Sequence, residues 1–208
     1  MCHVEPSIEV LTGDREFGGV PVVIGVPFER GNLRELPSLA VIAPSGRPCA
    51  VAGRPLVRWP DGSVRWALLA LQSSEVGTHR ISLNQPSGQR PEVANPVTVS
   101  RSGEQTTMEN GLVRVVLSAS GPGPVQEITA LGHAYLPRPE DMRFVVNRAD
   151  TTHEVSRTVK VMEESQLRMR VRAAGAHLEP SGQRLLNYRL DVELWAGWPV
   201  LRMDYQFF

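Results

Sequence analysis

The chain has 208 residues, enough to bury a sizeable core as one large all-β domain or two smaller ones. Its 22 basic and 22 acidic side chains give a formal net charge of zero, so no overall field draws it to nucleic acid or to an anionic membrane. The two cysteines, Cys2 and Cys49, do not predict a disulfide framework, and no apolar run approaches the length that spans a bilayer.

The first hundred residues predict a small closed β-barrel. Short apolar or alternating segments recur with turn signals between them, and no helical period is present. These segments are Val20–Phe28, Leu39–Ile42, Cys49–Ala52, Trp66–Leu71 and Thr78–Leu83. Trp66–Leu71 is apolar on both faces, which is typical of a strand buried on both sides. About six short strands connected in this way are typical of a closed barrel.

The nine residues from Arg58 to Trp66 predict the central hairpin of this barrel. Pro60 presets φ for the second position of a type I turn, Asp61 tolerates the third, and Gly62 can take a positive φ. Together they predict a three-residue loop closed by a glycine bulge, and this loop fixes the strand register. The predicted pairs are Trp59 with Ser63, Arg58 with Val64, Val57 with Arg65 and Leu56 with Trp66.

The predicted register places one tryptophan and one arginine on each face of the hairpin. Trp59 lies diagonal to Arg65, and Arg58 lies diagonal to Trp66, within reach for stacking. Indole suits a flat sugar face and guanidinium suits a carboxylate, so these four residues are the candidate substrate-binding residues. The competing interpretation is that at least one tryptophan belongs to the core, because aromatic side chains dominate core burial.

A domain boundary is predicted near residue 100. Residues 85–95 are rich in proline and polar side chains, and residues 100–105 are polar and contain glycine. Such composition is typical of linkers between domains. We therefore predict a barrel domain at 1–100 and a second domain at 101–208.

The second half predicts an antiparallel β-sandwich. After a strand at 111–117, a turn at Gly121–Pro124 and a return strand at 125–131, three segments alternate strictly between apolar and polar residues. They lie at 167–172, 186–194 and 201–207. One face of each is expected to be exposed to solvent. The last segment runs to Phe208 without a turn or polar tail, so we expect the sandwich to be truncated at the C-terminus.

A row of arginines lies on the polar face of the first of these segments: Arg168, Arg170 and Arg172. Guanidinium groups pair bidentately with carboxylates, so the row could recognise an acidic ligand. A neighbouring alternating strand carries Asp191 and Glu193, however. We therefore favour a solvated face with cross-strand ion pairs.

Catalytic residues, a metal site and a cofactor site are not predicted. The histidines show neither i,i+4 pairing nor a cysteine neighbour, so no zinc spacing exists. They are His3, His79, His133, His153 and His177. The Gly121-Pro122-Gly123 segment is a weak phosphate-loop candidate, because proline removes the amide donors that hold a phosphate. We interpret it as a turn.

The hairpin and the segment before it resemble a known family. Gly25–Phe28, Gly31–Leu33, Leu39 and Arg58–Trp66 are similar to the amino-terminal barrel of exo-rhamnogalacturonan lyase-like (YetA-like) proteins. The resemblance covers roughly residues 20–85, and the second half is similar only in pattern. It implies a RIFT-type β-barrel, then a central β-sandwich, then an α/α toroid. Glu29 stands where members often have a second proline, and the toroid, with which the sugar-cleaving cleft is associated, is missing from this chain.

The resemblance implies two alternative functions. The chain is either the non-catalytic amino-terminal β portion of a polysaccharide lyase-like protein or a stand-alone carbohydrate-binding or assembly module. In both, the expected partner is an acidic polysaccharide or oligosaccharide. The parent enzyme would act by β-elimination, in which a base removes the proton α to a uronate carboxylate. A helical repeat in the reading frame beyond Phe208 would favour the enzyme, and an early stop codon would favour the module.

The amino-terminal residues lack the basic region and apolar run of an export signal. As written, the chain is therefore expected to be cytoplasmic, or secreted if a signal was removed.

Overall fold

The computed structural model describes residues 7–10, 19–83, 91–136, 144–146, 149–153 and 156–208. Within these ranges the chain forms seventeen β-strands and one short 3₁₀ turn, so the predicted all-β class is confirmed. Two compact units are present, Met1–Ala94 and Asn95–Phe208. The amino-terminal residues 1–6 with Cys2 and His3 lie outside the described residues, as do residues 84–90, which include the first part of the predicted linker at 85–95.

The first unit is a curled antiparallel sheet of six strands. They are β1 (Ser7–Val10), β2 (Val20–Pro27), β3 (Leu39–Ile42), β4 (Pro48–Arg58), β5 (Val64–Ser73) and β6 (Gly77–Leu83). The hydrogen-bonded order is β1-β6-β3-β4-β5-β2, and a 3₁₀ turn at Leu36–Ser38 precedes β3. Each of the strands predicted in this part of the chain is found.

The core of the first unit lies inside this curl. Side chains of β5 point inward and pack with residues of all five other strands. The inward residues of β5 are Val64, Ala67, Leu69 and Leu71. Gly53 on β4 faces Leu69 across the ladder, and a Cβ there would lie 2.8 Å from Leu69 Cδ2. A larger residue at this position would therefore force the Leu69 side chain to shift, which favours glycine here.

The second unit contains two antiparallel sheets. The first sheet runs β11-β10-β9-β8-β7, and the second runs β12-β13-β15-β16-β17 with β14 also paired to β15. The strands of the first sheet are β7 (Thr98–Ser102), β8 (Gln105–Glu109), β9 (Val113–Ser118), β10 (Val125–Ala130) and β11 (His133–Leu136). Those of the second are β12 (Phe144–Val146), β13 (Ala149–His153), β14 (Thr158–Glu164), β15 (Arg168–Leu178), β16 (Arg184–Trp195) and β17 (Leu201–Phe207). The domain boundary predicted at residue 100 lies inside β7.

Both sheets bury an apolar face, as the predicted sandwich requires. Buried residues come from the first sheet and from the second alike: Met108, Val115, Leu117, Met169, Val171, Leu190 and Val192. The buried amide of Asn110 links the two sheets. Its Nδ2 donates to Trp195 O at 2.6 Å and Trp198 O at 2.7 Å, and its Oδ1 accepts from Val113 N at 2.8 Å. Such a satisfied buried amide fixes one arrangement of the sheets.

The prediction that one face of the alternating strands is exposed to solvent is wrong for β15 at Arg168. This side of the strand begins with Arg168, which is only 4% exposed, and Glu193 beside it is also buried. The opposite deviation occurs in β17, because Met203 and Phe207 on its expected apolar face are 44% and 68% exposed. β17 is the last strand in the order of its sheet, and among the described residues only β16 pairs with it. No helix of the described residues is long and apolar enough to cross a bilayer.

Candidate functional site

The tip of the β4–β5 hairpin has the predicted geometry. Gly62 takes a φ of 83°, its N–H donates to Trp59 O at 2.9 Å, and Trp59 N donates to Ser63 O at 2.7 Å. Asp61 Oδ1 accepts from both the backbone N (3.0 Å) and the hydroxyl (2.6 Å) of Ser63. These hydrogen bonds lower the pKa of the Asp61 carboxyl. The three-residue turn of Pro60, Asp61 and Gly62 is therefore confirmed.

The same tip is tied to the loop that follows β2. Ser63 Oγ accepts from Gly31 N at 2.9 Å, and Val64 N donates to Leu33 O at 2.7 Å. Arg30 Nε donates to Asp61 Oδ2 at 3.2 Å. The polar residues of the motif therefore hold two loops together. From the sequence, only their role in the turn was predicted.

The register beyond the tip differs from the prediction by two bulges. Arg58 pairs with Val64 as predicted, but the next pair is Val57 with Trp66, which leaves Arg65 without a cross-strand partner in β4. The ladder then continues with Pro55 and Ala67, which leaves Leu56 unpaired in turn. The predicted pairs Val57 with Arg65 and Leu56 with Trp66 are therefore wrong. The carbonyl of Arg65 instead accepts from Phe28 N at 2.9 Å, so the bulge serves the neighbouring loop.

The bulge at Arg65 moves Trp66 to the outer face of the barrel. Trp66 lies between Pro27 and Val57 in the ladder, is 40% exposed, and its ring covers Gly25. An added Cβ at Gly25 would lie 3.7 Å from Trp66 Cζ3, so the indole rests on the bare backbone of β2. Neither this ring nor that of Trp59, which is half-buried, lies in the core.

The structure brings together one of the two predicted tryptophan–arginine pairs. The Arg65 guanidinium carbon lies 4.7 Å from the Trp59 ring centroid, and Trp59 Nε1 donates to Phe28 O at 3.1 Å. Arg58 turns away from Trp66 and donates through Nη1 to Gly62 O at 2.7 Å and Arg34 O at 3.1 Å. The cation diagonal to Trp66 on the outer face is Arg54, which pairs with Leu68 two residues along and is exposed.

The arginine row of β15 binds carboxylates of the protein itself. Arg172 Nε and Nη2 donate to the two oxygens of Asp191 at 2.6 and 2.8 Å, and Arg170 Nη2 reaches the same carboxylate at 3.4 Å. Burial alone would raise the pKa of Asp191, but the hydrogen bonds from Arg172 and the positive charges of Arg170, Arg172 and Arg189 outweigh it and lower that pKa. The predicted cross-strand ion pairs are confirmed.

At the buried end of this row, Arg168 lies between two carboxylates. Its Nη1 donates to Glu163 at 2.6 Å and its Nη2 donates to Glu193, whose other oxygen accepts from Trp195 Nε1 at 2.6 Å. Burial opposes ionisation of Glu193, yet the contacts with Arg168 lower the pKa of this carboxyl. Glu193 was one of the two acids expected opposite this row, but Glu163 was not predicted, because it lies on β14 and becomes a neighbour of Arg168 only through strand pairing.

A buried serine–histidine–cysteine cluster in the first unit was also missed. Ser73 Oγ lies 2.7 Å from His79 Nε2, and His79 Nδ1 lies 3.0 Å from Gly77 O, which can only accept. Nδ1 therefore carries a proton and Ser73 donates to Nε2 in the neutral ring. Ser73 also hydrogen-bonds Cys49, and burial raises the pKa of that thiol. All three side chains are buried, so the cluster is structural.

A third cluster lies in the second unit, where three rings meet. His177 Nε2 is 2.6 Å from Tyr205 Oη, and the Tyr188 ring stacks on that of Tyr205 with centroids 5.4 Å apart. Burial lowers the pKa of His177 and raises that of Tyr205. At neutral pH these groups are therefore an uncharged histidine and a protonated tyrosine. Among the described residues, no three His, Cys, Asp or Glu side chains are grouped so as to hold a metal ion.

Comparison with known proteins agrees with the first unit. Residues 5–86 match a family model described as the PcRGLX-like N-terminal RIFT barrel domain. The match includes β1 to β6 and both loops that meet at the hairpin tip, and it confirms the resemblance to rhamnogalacturonan lyase-like proteins for this unit. No curated protein matches the chain.

Proposed function

Because residues 5–86 carry a PcRGLX-like N-terminal RIFT barrel, we propose that the chain is the non-catalytic β portion of a rhamnogalacturonan lyase-like carbohydrate-active protein. The chemistry of the described residues supports a non-catalytic role. Ser73, His79 and His177 are buried and hydrogen-bonded to protein groups, so they are not placed to contact a substrate. The α/α toroid of the family is the proposed partner that supplies the cleaving residues.

The proposed sugar contact is the outer face around Trp66. The observation that carries it is the half-exposed indole seated on Gly25, since an aromatic ring held flat on a strand presents a rigid apolar surface to a sugar. Exposed Arg54, diagonal to it, supplies a cation for a carboxylate. Trp59 contributes less, because Arg65 already covers one face of its ring.

The test is calorimetric titration of the chain with acidic rhamnogalacturonan oligosaccharides, since fluorescence would lose its reporter in the variants. Trp66→Ala is expected to weaken binding roughly tenfold, as the loss of one stacking contact predicts. Val23→Ala is the matched control, because Val23 on β2 is an exposed apolar side chain like Trp66 but carries no ring. Equal affinities of Trp66→Ala and the parent chain would refute this contact.

A lyase assay tests the non-catalytic role. The chain is incubated with rhamnogalacturonan while the ultraviolet absorbance of an unsaturated uronate is followed, and no increase in this absorbance is expected. Steady growth that a single substitution in this chain abolishes would refute the proposal. The alternative function, a stand-alone binding module, predicts the same result here and the same Trp66 dependence. The two functions differ in one prediction: a stand-alone module should not bind the toroid domain when that domain is added to the chain.

A further inference from the structure

Strand β17 has one edge with which no described strand pairs. Asn187 and Phe208 exchange both backbone hydrogen bonds, so they form a hydrogen-bonded pair of the β16–β17 ladder. The register of this ladder is regular, so hydrogen-bonded pairs alternate along it with pairs that are not hydrogen-bonded. The backbone groups of Arg202, Asp204 and Gln206 therefore point at β16. The backbone groups that point away from β16 belong to Leu201, Met203, Tyr205 and Phe207.

β17 lacks the features that commonly protect a free edge. Lysine, proline or a bulge on an edge strand hinders its pairing with another chain. Among the described residues β14 also pairs with one strand alone, but it has a register shift between Val161 and Glu163 and carries Lys160. β17 contains neither lysine nor proline, and its register with β16 has no shift. Its free edge is therefore open to pairing with another strand.

The acid on the polar face of β17 lies in an unfavourable position. Asp204 is exposed and makes no hydrogen bond or ion pair within the part of the chain that the structure describes. It lies directly opposite Asp191 in the ladder, and Arg172 already donates two hydrogen bonds to Asp191. Like charges directly opposite each other are destabilising. A cation on the open side of β17 would therefore stabilise Asp204.

The cation that matches this acid lies two residues before it on the same face. Arg202 is exposed and lies opposite Glu193 in the ladder. The two oxygens of Glu193 already accept hydrogen bonds from Arg168 and Trp195. Arg202 lowers the pKa of Glu193 through its charge, but within the described ranges it forms no hydrogen bond or ion pair. Its guanidinium is therefore accessible to a carboxylate on the open side of β17.

From this arrangement we infer that β17 pairs antiparallel with β17 of a second copy of the chain, centred on Met203. Met203 then forms a hydrogen-bonded pair with Met203 of the second copy, and Leu201 forms one with Tyr205 on each side of it. Arg202 of each copy lies opposite Asp204 of the other, so two cross-strand ion pairs form. The dimer therefore uses the outward backbone groups and both charges together.

Charge selects this register over its neighbours. A centre at Asp204 would place two carboxylates opposite each other, and a centre at Tyr205 would place Asp204 opposite Gln206. The centre at Met203 also packs its side chain, which is 44% exposed in the single chain, against its counterpart in the second copy. A contact between two short strand edges is smaller than a standard protein interface, so we expect a reversible dimer.

The experiment is sedimentation velocity of the 208-residue chain over a range of concentrations, in which monomer–dimer exchange is expected. Asp204→Arg and Arg202→Asp should each weaken the dimer about tenfold or more, because either change places like charges opposite each other. An equimolar mixture of these two variants should associate again, because each cation then faces an acid of the other copy. Glu164→Arg changes an exposed acid on β14 in the same way, so it is the matched control and should dimerise as the parent does.

Met203→Pro tests the backbone pairing separately from charge. The N–H of Met203 points away from β16, so proline removes a hydrogen bond of the dimer and none of the β16–β17 ladder. Dimerisation should be lost, while the circular dichroism spectrum should match that of the parent. The spectrum and melting temperature of every variant are measured, and if Arg202→Asp is not folded, Asp204→Arg and Met203→Pro decide the result.

Several results would overturn the inference. A parent chain that stays monomeric at all concentrations, or an Asp204→Arg variant that dimerises as the parent does, would each do so. Failure of the folded charge variants to associate in the mixture would exclude the register centred on Met203. Weakening by Glu164→Arg without weakening by Asp204→Arg would assign the dimer to β14 instead.

Discussion

Gly62→Val is expected to destabilise the first unit by about 1–3 kcal/mol. Gly62 has a φ of 83°, and no heavy atom lies within 4 Å of the position where a Cβ would be added. The whole cost therefore comes from the backbone conformation, which is unfavourable for L residues and most unfavourable for β-branched ones. Asn tolerates this conformation, so Gly62→Asn should cost clearly less than Gly62→Val.

Thermal melting followed by circular dichroism measures this effect. For a domain of this size, each 1 kcal/mol corresponds to roughly 4–8 °C in melting temperature. Gly25→Ala is the control, because Gly25 has an extended backbone and its added Cβ would make ordinary contact with the Trp66 ring at 3.7 Å. It should melt at or slightly above the parent temperature. Equal melting of Gly62→Val, Gly62→Asn and the parent would refute the reasoning.

Three further outcomes are expected. The folded-state pKa values of Asp191 and Glu193 are lowered, so their contribution to stability is complete above about pH 5 and is lost as pH falls through the folded values. Urea unfolding at several pH values should show this loss, and the loss should be smaller in Asp191→Asn. Arg168→Met leaves two acids without their buried cation and should lower the free energy of unfolding in urea by about 3 kcal/mol or more. Arg172 lies nearer solvent, so Arg172→Met should lower it by about 1 kcal/mol. Equal losses in the two variants would contradict the role of burial. Since Cys49 is buried and its pKa is raised, iodoacetamide should label it only after unfolding, as peptide mass mapping would show, and rapid labelling of the folded chain would contradict this.

Local sequence rules predicted the hairpin tip well and its flanks less well. Pro60, Asp61 and Gly62 determine the turn by their own backbone preferences, so nothing outside the loop was needed. The bulges at Leu56 and Arg65 depend on the loop after β2, because Phe28 N in that loop donates a hydrogen bond to the Arg65 carbonyl. Because that partner is more than thirty residues away in sequence, the side of the barrel on which Trp66 lies could not be predicted from alternation alone.

Alternation likewise predicted which residues share a face but not how deeply that face is covered. Arg168 and Arg172 lie on the same side of β15, yet only Arg168 is enclosed, because Glu163 of β14 and Trp195 of β16 lie against it. In β17, the expected apolar residues are exposed because one neighbouring strand cannot cover an edge. How deeply a side chain is buried depends on which strands pair beside it, whereas alternation in the sequence shows only to which face of the sheet it points.

The bulges at Leu56 and Arg65 form a matched insertion, with one extra residue on each strand. Deleting either residue alone would shift one strand against the other and turn the outward side chains of that strand inward. Deleting both would restore the alignment, since the pairs on either side of the bulges already follow a single register. A relative that has lost one of these residues is therefore expected to have lost the other, and its tryptophan is expected to stay on the outer face, because Val64, Trp66 and Ala67 would then alternate inward, outward and inward.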